Sequence, residues 1–262
     1  MSKTSKLALI TGASSGIGAA TACLFAADGY KVVLIGRRRE ALETVAAEIG
    51  AAAVAEPCDA SDGSAILELA DRVRREHGVP DVVINSAGAG KWKRIEHTAP
   101  DEAVSMMDAP HFAAFNTTHA FMNDMLDRNS GVLVHISSPI SLFTWPSSVG
   151  YAASRWAMRG MHQALCDDLY STGVRSCHIV FGKVSTEYFD NNPGAEERIP
   201  KIAKTVRTLT PEDCAQIICR VVRRPRRESV YPFMMRVYYW SYLLCPWLVR
   251  ALLRRTGHEG RD

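Results

Sequence analysis

The chain has 262 residues, of which 47% are hydrophobic, and its formal net charge is only +3. This length is typical of a single α/β domain, and the hydrophobic content is enough to bury a large core. Its seven cysteines are scattered without any Cys-x-x-Cys spacing, which argues against a disulfide framework or a zinc site and favours a reducing cytosol. No metal is expected.

Targeting signals are weak. The apolar run before Thr11 has only four residues, which is too short for a signal peptide, and no stretch reaches the roughly eighteen uncharged apolar residues of a membrane span. We therefore expect a cytoplasmic protein. Positions 198–262 hold 14 Lys/Arg against 5 Asp/Glu, whereas positions 1–197 are acidic on balance. This surplus of positive charge affects which partners the protein binds rather than how it folds. No nucleic acid is expected among these partners.

Short apolar runs alternate with helical patterns along most of the chain. The predicted strands are 6–11, 31–36, 51–59, 80–88, 130–138, 174–182 and, less regularly, 229–233. The predicted helices are 16–29, 39–50, 64–78, a long segment near 101–128, and 151–173. This alternation predicts a doubly wound parallel sheet covered by helices on both faces, in a single domain.

Between the first strand and the first helix lies "TGASSGIG", residues 11–18. Glycines there allow a tight turn, and the free N–H groups at the start of the helix can meet a phosphate. In this context we interpret the turn as a cofactor site rather than an ordinary glycine-rich connection. The residues expected to contact the cofactor there are Gly12, Ser14, Ser15, Gly16, Ile17 and Gly18.

The second strand ends with Gly36, and Arg37, Arg38 and Arg39 follow it. An acidic residue at this place would hydrogen-bond the ribose 2′-hydroxyl of NAD, whereas guanidinium groups suit the 2′-phosphate of NADP. The sequence thus favours NADP(H) over NAD(H), with Arg37 as the main contact. The alternative is a solvated basic start of a helix.

Two further turns extend the predicted cofactor path. Asp59 follows the third strand, where it is placed to meet the adenine. The fourth strand ends in "NSAG", which places Asn85, Ala87 and Gly88 beside the ribose.

The stretch "YAASRWAM" places Tyr151 and Arg155 four residues apart, on one face of a predicted helix. A phenol titrates near ~10, and a nearby cation favours the phenolate, which makes a tyrosine useful as an acid or base. The alternative is an ordinary surface pair.

Taken together, these motifs resemble the short-chain dehydrogenase/reductase family, with its Thr-Gly-x-x-x-Gly-x-Gly, Asn-x-Ala-Gly, Ser and Tyr-x-x-x-Lys pattern. The match runs from about Lys6 to about Thr186. The resemblance implies a Rossmann-type fold of about seven strands, a homodimer or homotetramer, and reversible hydride transfer between NAD(P)(H) and a carbonyl or alcohol. It assigns Tyr151 as the proton donor and Ser138, 13 residues earlier, as the group that orients the carbonyl oxygen.

The sequence departs from that pattern at two catalytic positions. Arg155 replaces the family lysine; it keeps the charge and can still hydrogen-bond the ribose, but arginine stays protonated in proteins, so a proton relay is in doubt. Pro110 falls where the family has a catalytic asparagine, and proline can keep a helix kink but offers no amide. After the sixth strand, Phe181 replaces a family proline, while Val184 and Thr186 remain to face the nicotinamide.

Several aromatic residues follow strand ends or lie in a predicted lid at about 186–209, where ligands of such sheets bind. They are Trp92, Phe143, Trp145, Phe181, Tyr188 and Phe189. They suggest an apolar pocket for a hydrophobic carbonyl or alcohol, although core packing or oligomer contacts explain each of them equally well.

The last predicted segment is a basic aromatic arm at 236–262, after a cofactor-binding domain at 1–235. The arm either lies at a membrane interface, as a peripheral contact, or packs on the pocket or on a partner subunit. For the whole chain we expect an NADP(H)-dependent oxidoreductase with altered acid chemistry. The alternatives are a weak or inactive nucleotide-binding relative of such enzymes and, less favoured, a structural protein without cofactor.

Overall fold

A computed structural model describes residues 5–190, 192 and 194–257 of the chain. Its strands are β1 Leu7–Thr11, β2 Lys31–Gly36, β3 Ala53–Pro57, β4 Val82–Asn85, β5 Gly131–Ser137, β6 Val174–Phe181 and β7 Glu228–Tyr231. Its α-helices are α1 Gly16–Ala27, α2 Arg39–Ile49, α3 Gly63–His77, α4 Pro100–Met107, α5 Ala113–Asp127, α6 Val149–Asp168, α7 Pro211–Arg223, α8 Phe233–Leu244 and α9 Pro246–Thr256.

The strands form one sheet in the order β3-β2-β1-β4-β5-β6-β7, and every neighbouring pair is parallel. The chain runs outward from β1 to β3, then returns to pair β4 on the other side of β1. The carboxyl ends of β1 and β4 therefore lie side by side where the winding reverses, which is the place where such sheets bind ligands. The predicted doubly wound sheet of seven strands is confirmed.

The core has one layer on each face of the sheet. In β1, Ala8 and Ile10 belong to one buried cluster, while Leu7 and Leu9 belong to the other. Successive side chains of a strand point to opposite faces, and here both faces are covered by helices. This is why the central strands are continuous apolar runs.

One predicted helix is interrupted. The segment near 101–128 forms α4 and α5, separated by a π-helical turn at Asp108–Phe112. Pro110 lies in the middle of this turn; it has no N–H to donate to the preceding turn, and its ring crowds the backbone there. The kink expected at this proline is therefore present, but the helix is not continuous.

Among the described residues of the segment at 186–209, only Lys201–Thr205 form a helical turn, as the weak periodicity of this segment suggested. Beyond β7 the chain forms the hairpin of α8 and α9, whose inner side packs with Val206 and Phe143. None of the helices described is long and apolar enough to cross a membrane. The division into a domain at 1–235 and an arm beyond it stays a prediction.

Candidate active site

A cavity of about 880 Å³ opens at the carboxyl end of the sheet, beside β1 and β4. Nearly all of the predicted site residues lie on its wall: Gly12, Ser14, Ser15, Gly16, Ile17, Gly18, Arg37, Asp59, Ala87, Gly88, Ser138, Tyr151, Arg155, Val184 and Thr186. The topology thus brings together residues that are far apart in the sequence. Asn85 does not belong to the wall.

The glycine-rich turn is held in close contact with the turn after β4. Gly12 has a φ of +67°, and a Cβ there would lie 2.9 Å from the backbone of Ala87. A Cβ on Gly18 would lie 2.2 Å from the carbonyl oxygen of Gly12. Only glycines allow this packing, which leaves the start of α1 facing the cavity.

Buried polar side chains hold the two turns from behind. Thr11 Oγ1 accepts hydrogen bonds from the backbone N–H groups of Ser86 and Ala87, each at 3.1 Å. Asn85 is buried, and its Nδ2 lies 3.2 Å from both Thr118 Oγ1 and His135 Nδ1. The side chain of Asn85 therefore supports the cavity wall from inside the sheet.

Arginines close the end of the cavity that lies beyond β2. Arg37 and Arg38 both line it, and Arg38 Nη2 donates hydrogen bonds to the side-chain oxygens of Ser14 at 3.2 Å and Ser15 at 2.9 Å. Arg39 instead faces solvent, where it pairs with Glu43 at 3.6 Å. Arg38 bridges the glycine-rich turn, a role that the sequence did not distinguish from those of its two neighbours.

Tyr151 and Arg155 form a buried pair, because their exposed fractions are 5% and 6%. The interpretation of these residues as a surface pair is therefore wrong. The guanidinium carbon of Arg155 lies 4.9 Å from the centroid of the Tyr151 ring, so the cation stacks on the face of the ring.

The guanidinium group of Arg155 has few polar partners of its own. Nη1 lies 3.5 Å from the carbonyl oxygen of Ile136, and Nε is buried without a hydrogen-bond partner. A Cβ on Gly88 would lie 2.8 Å from Nη2. Arg155 thus packs against the turn predicted to meet the ribose, and its Nε–H still has no hydrogen-bond acceptor.

An aromatic cluster fixes the other side of Tyr151. The ring of Trp92 stacks on Tyr151 with a centroid distance of 5.4 Å and an interplanar angle of 29°. Trp92 Nε1 donates to Tyr188 Oη at 2.9 Å, and Tyr188 Oη donates to the carbonyl oxygen of Gly90 at 3.0 Å. Burial raises the pKa of Tyr188, and the neighbouring Tyr151 raises it further. Tyr188 therefore stays a neutral phenol that locks Trp92 over Tyr151.

The π-helical turn adds residues that the sequence did not indicate. Asp108 and Ala109 of this turn, and Ser105 of α4 before it, reach the cavity wall, whereas Pro110 is buried and does not line the cavity. A π-helical turn accommodates one extra residue, and the sequence alone does not show where this residue is inserted. The residues of this turn that reach the cavity could therefore not be predicted.

Part of the cavity wall is rich in aromatic and aliphatic side chains. All six aromatic residues singled out in the sequence line it: Trp92, Phe143, Trp145, Phe181, Tyr188 and Phe189. The hairpin contributes Met235, Tyr238, Leu248, Val249, Leu252 and Leu253; the sequence offered packing of the arm on the pocket as one alternative but did not indicate these residues individually. Their spacing along α8 and α9 was the available signal, since residues three and four apart share one face of a helix. The arm thus packs on the pocket.

Behind the cavity, one register row of the sheet carries Asn85, His135, His178 and Glu228 on four neighbouring strands. His162 of α6 packs on the two histidines, with ring centroids 5.9 Å from His135 and 5.3 Å from His178. Burial is the main cause that lowers the pKa of all three histidines, and for His178 it outweighs the opposing effect of Glu228. The pKa of His162 falls to about 3. All three rings are therefore neutral in the folded protein near pH 7.

The row ends in a carboxylate that also anchors α8. Arg159 Nε donates to Glu228 Oε2 at 3.1 Å, and Arg159 Nη2 donates to Tyr239 Oη at 2.7 Å. Burial alone would raise the pKa of Glu228, but His178 and Arg159 hold it at about 2. Glu228 is thus ionised and ties the hairpin to α6.

Residues 6–197 match the family model described as short chain dehydrogenase. The chain belongs to the short-chain dehydrogenase family. An uncharacterized oxidoreductase of Staphylococcus aureus strain USA300 is 32% identical over 235 residues, which cover 89% of this chain and 97% of that protein. The D-threitol dehydrogenase of Mycolicibacterium smegmatis is 29% identical and covers 80% of this chain and 83% of its own length.

A solved dehydrogenase structure shares the fold. The closed form of a serine dehydrogenase complexed with NADP+ superimposes with a TM-score of 0.80 at 25% identity, covering 87% of this chain and 95% of that one. This short-chain dehydrogenase is therefore an oxidoreductase of the Rossmann type that acts on a small molecule.

Proposed function

We propose that this enzyme transfers hydride between NADP(H) and a carbonyl or alcohol group of a hydrophobic substrate. The observation that carries the proposal is the position of Tyr151, on the wall of a cavity that is also lined by the glycine-rich turn after β1 and by six aromatic side chains. A phenol in this cavity can exchange a proton with a substrate oxygen while the apolar body of the substrate packs on the aromatic side chains.

The glycine-rich side of the cavity fits a dinucleotide phosphate. Ser15 precedes α1 without a side-chain cap, so the first N–H groups of this helix are left to an external acceptor. Arg37 and Arg38 place two cations beyond β2, where a 2′-phosphate would lie. The serine dehydrogenase with a related fold was solved with NADP+, which supports the same choice. When bound, NADP(H) supplies the hydride.

Side chains of the protein supply the proton and orient the substrate oxygen. Tyr151 donates its phenolic proton to the carbonyl oxygen during reduction and removes the alcohol proton during oxidation. Ser138, also on the wall, donates a hydrogen bond to the same oxygen and holds it toward Tyr151. Trp92 and Tyr188 keep the Tyr151 ring in place and exclude water from its face.

Arg155 limits proton return to Tyr151. Arginine remains protonated in proteins, so it stabilises negative charge beside the ring but cannot release a proton in each cycle. We infer that turnover is limited by proton delivery. Complete loss of turnover with retained nucleotide binding is the alternative, and the replacement of lysine by Arg155 is the observation behind it.

NADPH oxidation over a panel of apolar ketones and aldehydes tests the proposal. We expect turnover by the wild type, at least about a hundredfold loss in Tyr151→Phe, and unchanged NADPH affinity in that variant, because proton transfer contributes about two to four orders of magnitude. NADPH binding without turnover on any member of the panel would favour the inactive alternative. Turnover that survives Tyr151→Phe would contradict the assignment of the site.

We also propose that the protein forms a homo-oligomer. Helices α5 and α6, together with the π-helical turn, expose Phe112, Phe115 and Trp156 at 42%, 50% and 43%. Exposed aromatic side chains on adjacent elements are typical of subunit interfaces. Light scattering should give a dimer or larger assembly for the wild type and a smaller species for Phe115→Lys; a monomeric wild type would refute this.

A further inference from the structure

The hairpin of α8 and α9 exposes a stripe of large apolar side chains. Phe233, Trp240 and Leu244 are exposed at 63%, 52% and 82%, and their spacing places them on one side of α8. The opposite side of α8 carries Met235 and Tyr238, which face the cavity. The helix is therefore apolar on two sides, and only one of them is covered by the protein.

The exposed surface continues through the turn into α9. All six positions from Leu243 to Leu248 are exposed, and Trp247 reaches 71%. Turns between packed helices are ordinarily polar, and folded domains rarely leave a continuous apolar surface of this kind in water. The tip of the hairpin is thus apolar where solvent contact would favour polar residues.

Positive charge accompanies this surface. Between positions 229 and 257 the chain has four arginines and no Asp or Glu. Arg254 and Arg255 are exposed in the last turn of α9, and no carboxylate of the described residues pairs with either. Apolar side chains beside unpaired arginines match an acyl layer beneath anionic headgroups.

Two residues belong both to this surface and to the substrate cavity. Leu248 and Leu252 are exposed at 53% and 39%, yet both line the cavity. They lie four residues apart on α9 and therefore share one side of that helix. On α9, the apolar outer surface of the hairpin therefore adjoins the wall of the cavity.

From these observations we propose that α8 and α9 dock in the plane of an anionic lipid bilayer and admit hydrophobic substrates from it. The tip from Leu243 to Leu248 lies among the acyl chains, and the arginines contact the headgroups. Docking is peripheral, since neither helix is long enough to span a bilayer. The route for substrate rests on the proposed function, whereas docking itself does not.

Co-sedimentation of the full chain with vesicles tests the docking. We expect binding to phosphatidylcholine vesicles that contain phosphatidylglycerol, weaker binding to pure phosphatidylcholine, and further weakening at high salt. The paired change Leu244→Ser with Trp247→Ser should reduce binding about tenfold or more. Arg254→Gln with Arg255→Gln should reduce binding to the anionic vesicles only.

Tyr170→Ser is the matched control, because Tyr170 is an aromatic residue exposed at 89% outside the hairpin. It should bind vesicles like the wild type. Absence of wild-type binding to anionic vesicles, or equal binding by the Leu244/Trp247 variant, would overturn the proposal. The proposal would also be overturned if the Leu244/Trp247 change dissociated a dimer without reducing vesicle binding, since the surface would then be a subunit interface.

Kinetics separates docking from catalysis. For a ketone that partitions into vesicles, the Leu244/Trp247 variant should lose about tenfold in kcat/KM, while a water-soluble ketone should be reduced at the wild-type rate. Equal loss for both ketones would refute the substrate route. Vesicle binding by a protein that reduces no ketone would leave docking intact and contradict the proposed function instead.

Discussion

The guanidinium of Arg155 lies over the ring of Tyr151, with 4.9 Å between the guanidinium carbon and the ring centroid, rather than extending past the ring into solvent. Both residues are buried, and Trp92 also stacks on Tyr151. The phenol is therefore held between a cation and an indole, and its rotation is restricted. A cation and an indole packed on the ring thus fix the direction in which the phenol points.

We predict that the charge of Arg155 is needed and that its inability to release a proton limits the rate. Arg155→Met should lower kcat by about tenfold or more, whereas Arg155→Lys should retain or raise it. The measurement is steady-state NADPH oxidation in H2O and D2O. The wild type should show a clear solvent isotope effect that shrinks in Arg155→Lys; a faster Arg155→Met enzyme would contradict this account.

Gly90 offers a test of the position of Tyr151 that leaves the reacting groups unchanged. Its φ is +146°, and a Cβ there would lie 2.5 Å from Cδ2 of Tyr151. We predict that Gly90→Ala displaces the phenol and lowers kcat by about tenfold or more, because small misplacements of reacting groups are costly. NADPH affinity should change little.

The control for this change is Gly29→Ala. Gly29 also has a positive φ, of +86°, but a Cβ there meets nothing within 4 Å. Both variants should lose about 1 kcal/mol of stability from backbone strain, measured by urea denaturation. Only Gly90→Ala should lose activity; equal activity in the two variants would show that the phenol tolerates displacement.

The fold was predictable because its signals are local and repeated. Buried strands such as 31–36 are apolar throughout, helices between them end at glycines, and this alternation permits few topologies. The π-helical turn around Pro110 was not predictable, since a proline indicates a break but not the number of residues that the break inserts.

The site was predictable where motifs are contiguous and less so where side chains meet at long range. The spacing of Tyr151 and Arg155 placed them on one face, but it did not specify that the guanidinium stacks on the ring. Trp92 and Tyr188 are 96 residues apart, and their hydrogen bond has no local signature. Asn85 lies in a recognisable motif, yet its side chain contacts Thr118 and His135 inside the protein rather than the cavity, and no local pattern indicates these partners.

Arg38 provides a direct test of NADP(H) preference. Its hydrogen bonds to Ser14 and Ser15 hold the guanidinium at the glycine-rich turn, so little ordering remains when a phosphate binds. We predict that Arg38→Ala, and similarly Arg37→Ala, weakens NADPH binding by about tenfold to a hundredfold and leaves NADH binding nearly unchanged. Fluorescence titration of both nucleotides measures this difference.

Arg39→Ala removes an equal charge from the same segment, but Arg39 pairs with Glu43 in solvent and does not line the cavity. It should leave both affinities unchanged at moderate salt. A loss of NADPH affinity in Arg39→Ala as large as in Arg38→Ala would indicate a general electrostatic attraction rather than recognition of the 2′-phosphate.

The last prediction concerns stability in mild acid. The pKa values of His135, His162 and His178 are lowered by burial, so below about pH 6.5 the unfolded chain takes up protons that the folded chain excludes. Their contribution to stability is complete above that pH and decreases as the pH falls, by about 2 kcal/mol at pH 5 for each ring that stays neutral. Glu228, with its pKa held at about 2, does not contribute in this window, because it is ionised in both states until the pH drops below about 4.

Urea denaturation at about pH 7.5 and pH 5 should show the loss, and His162→Gln should reduce the pH dependence, whereas His119→Gln, at an exposed position, should not. Equal stability of the wild type at the two pH values would contradict the assignment of neutral, buried rings.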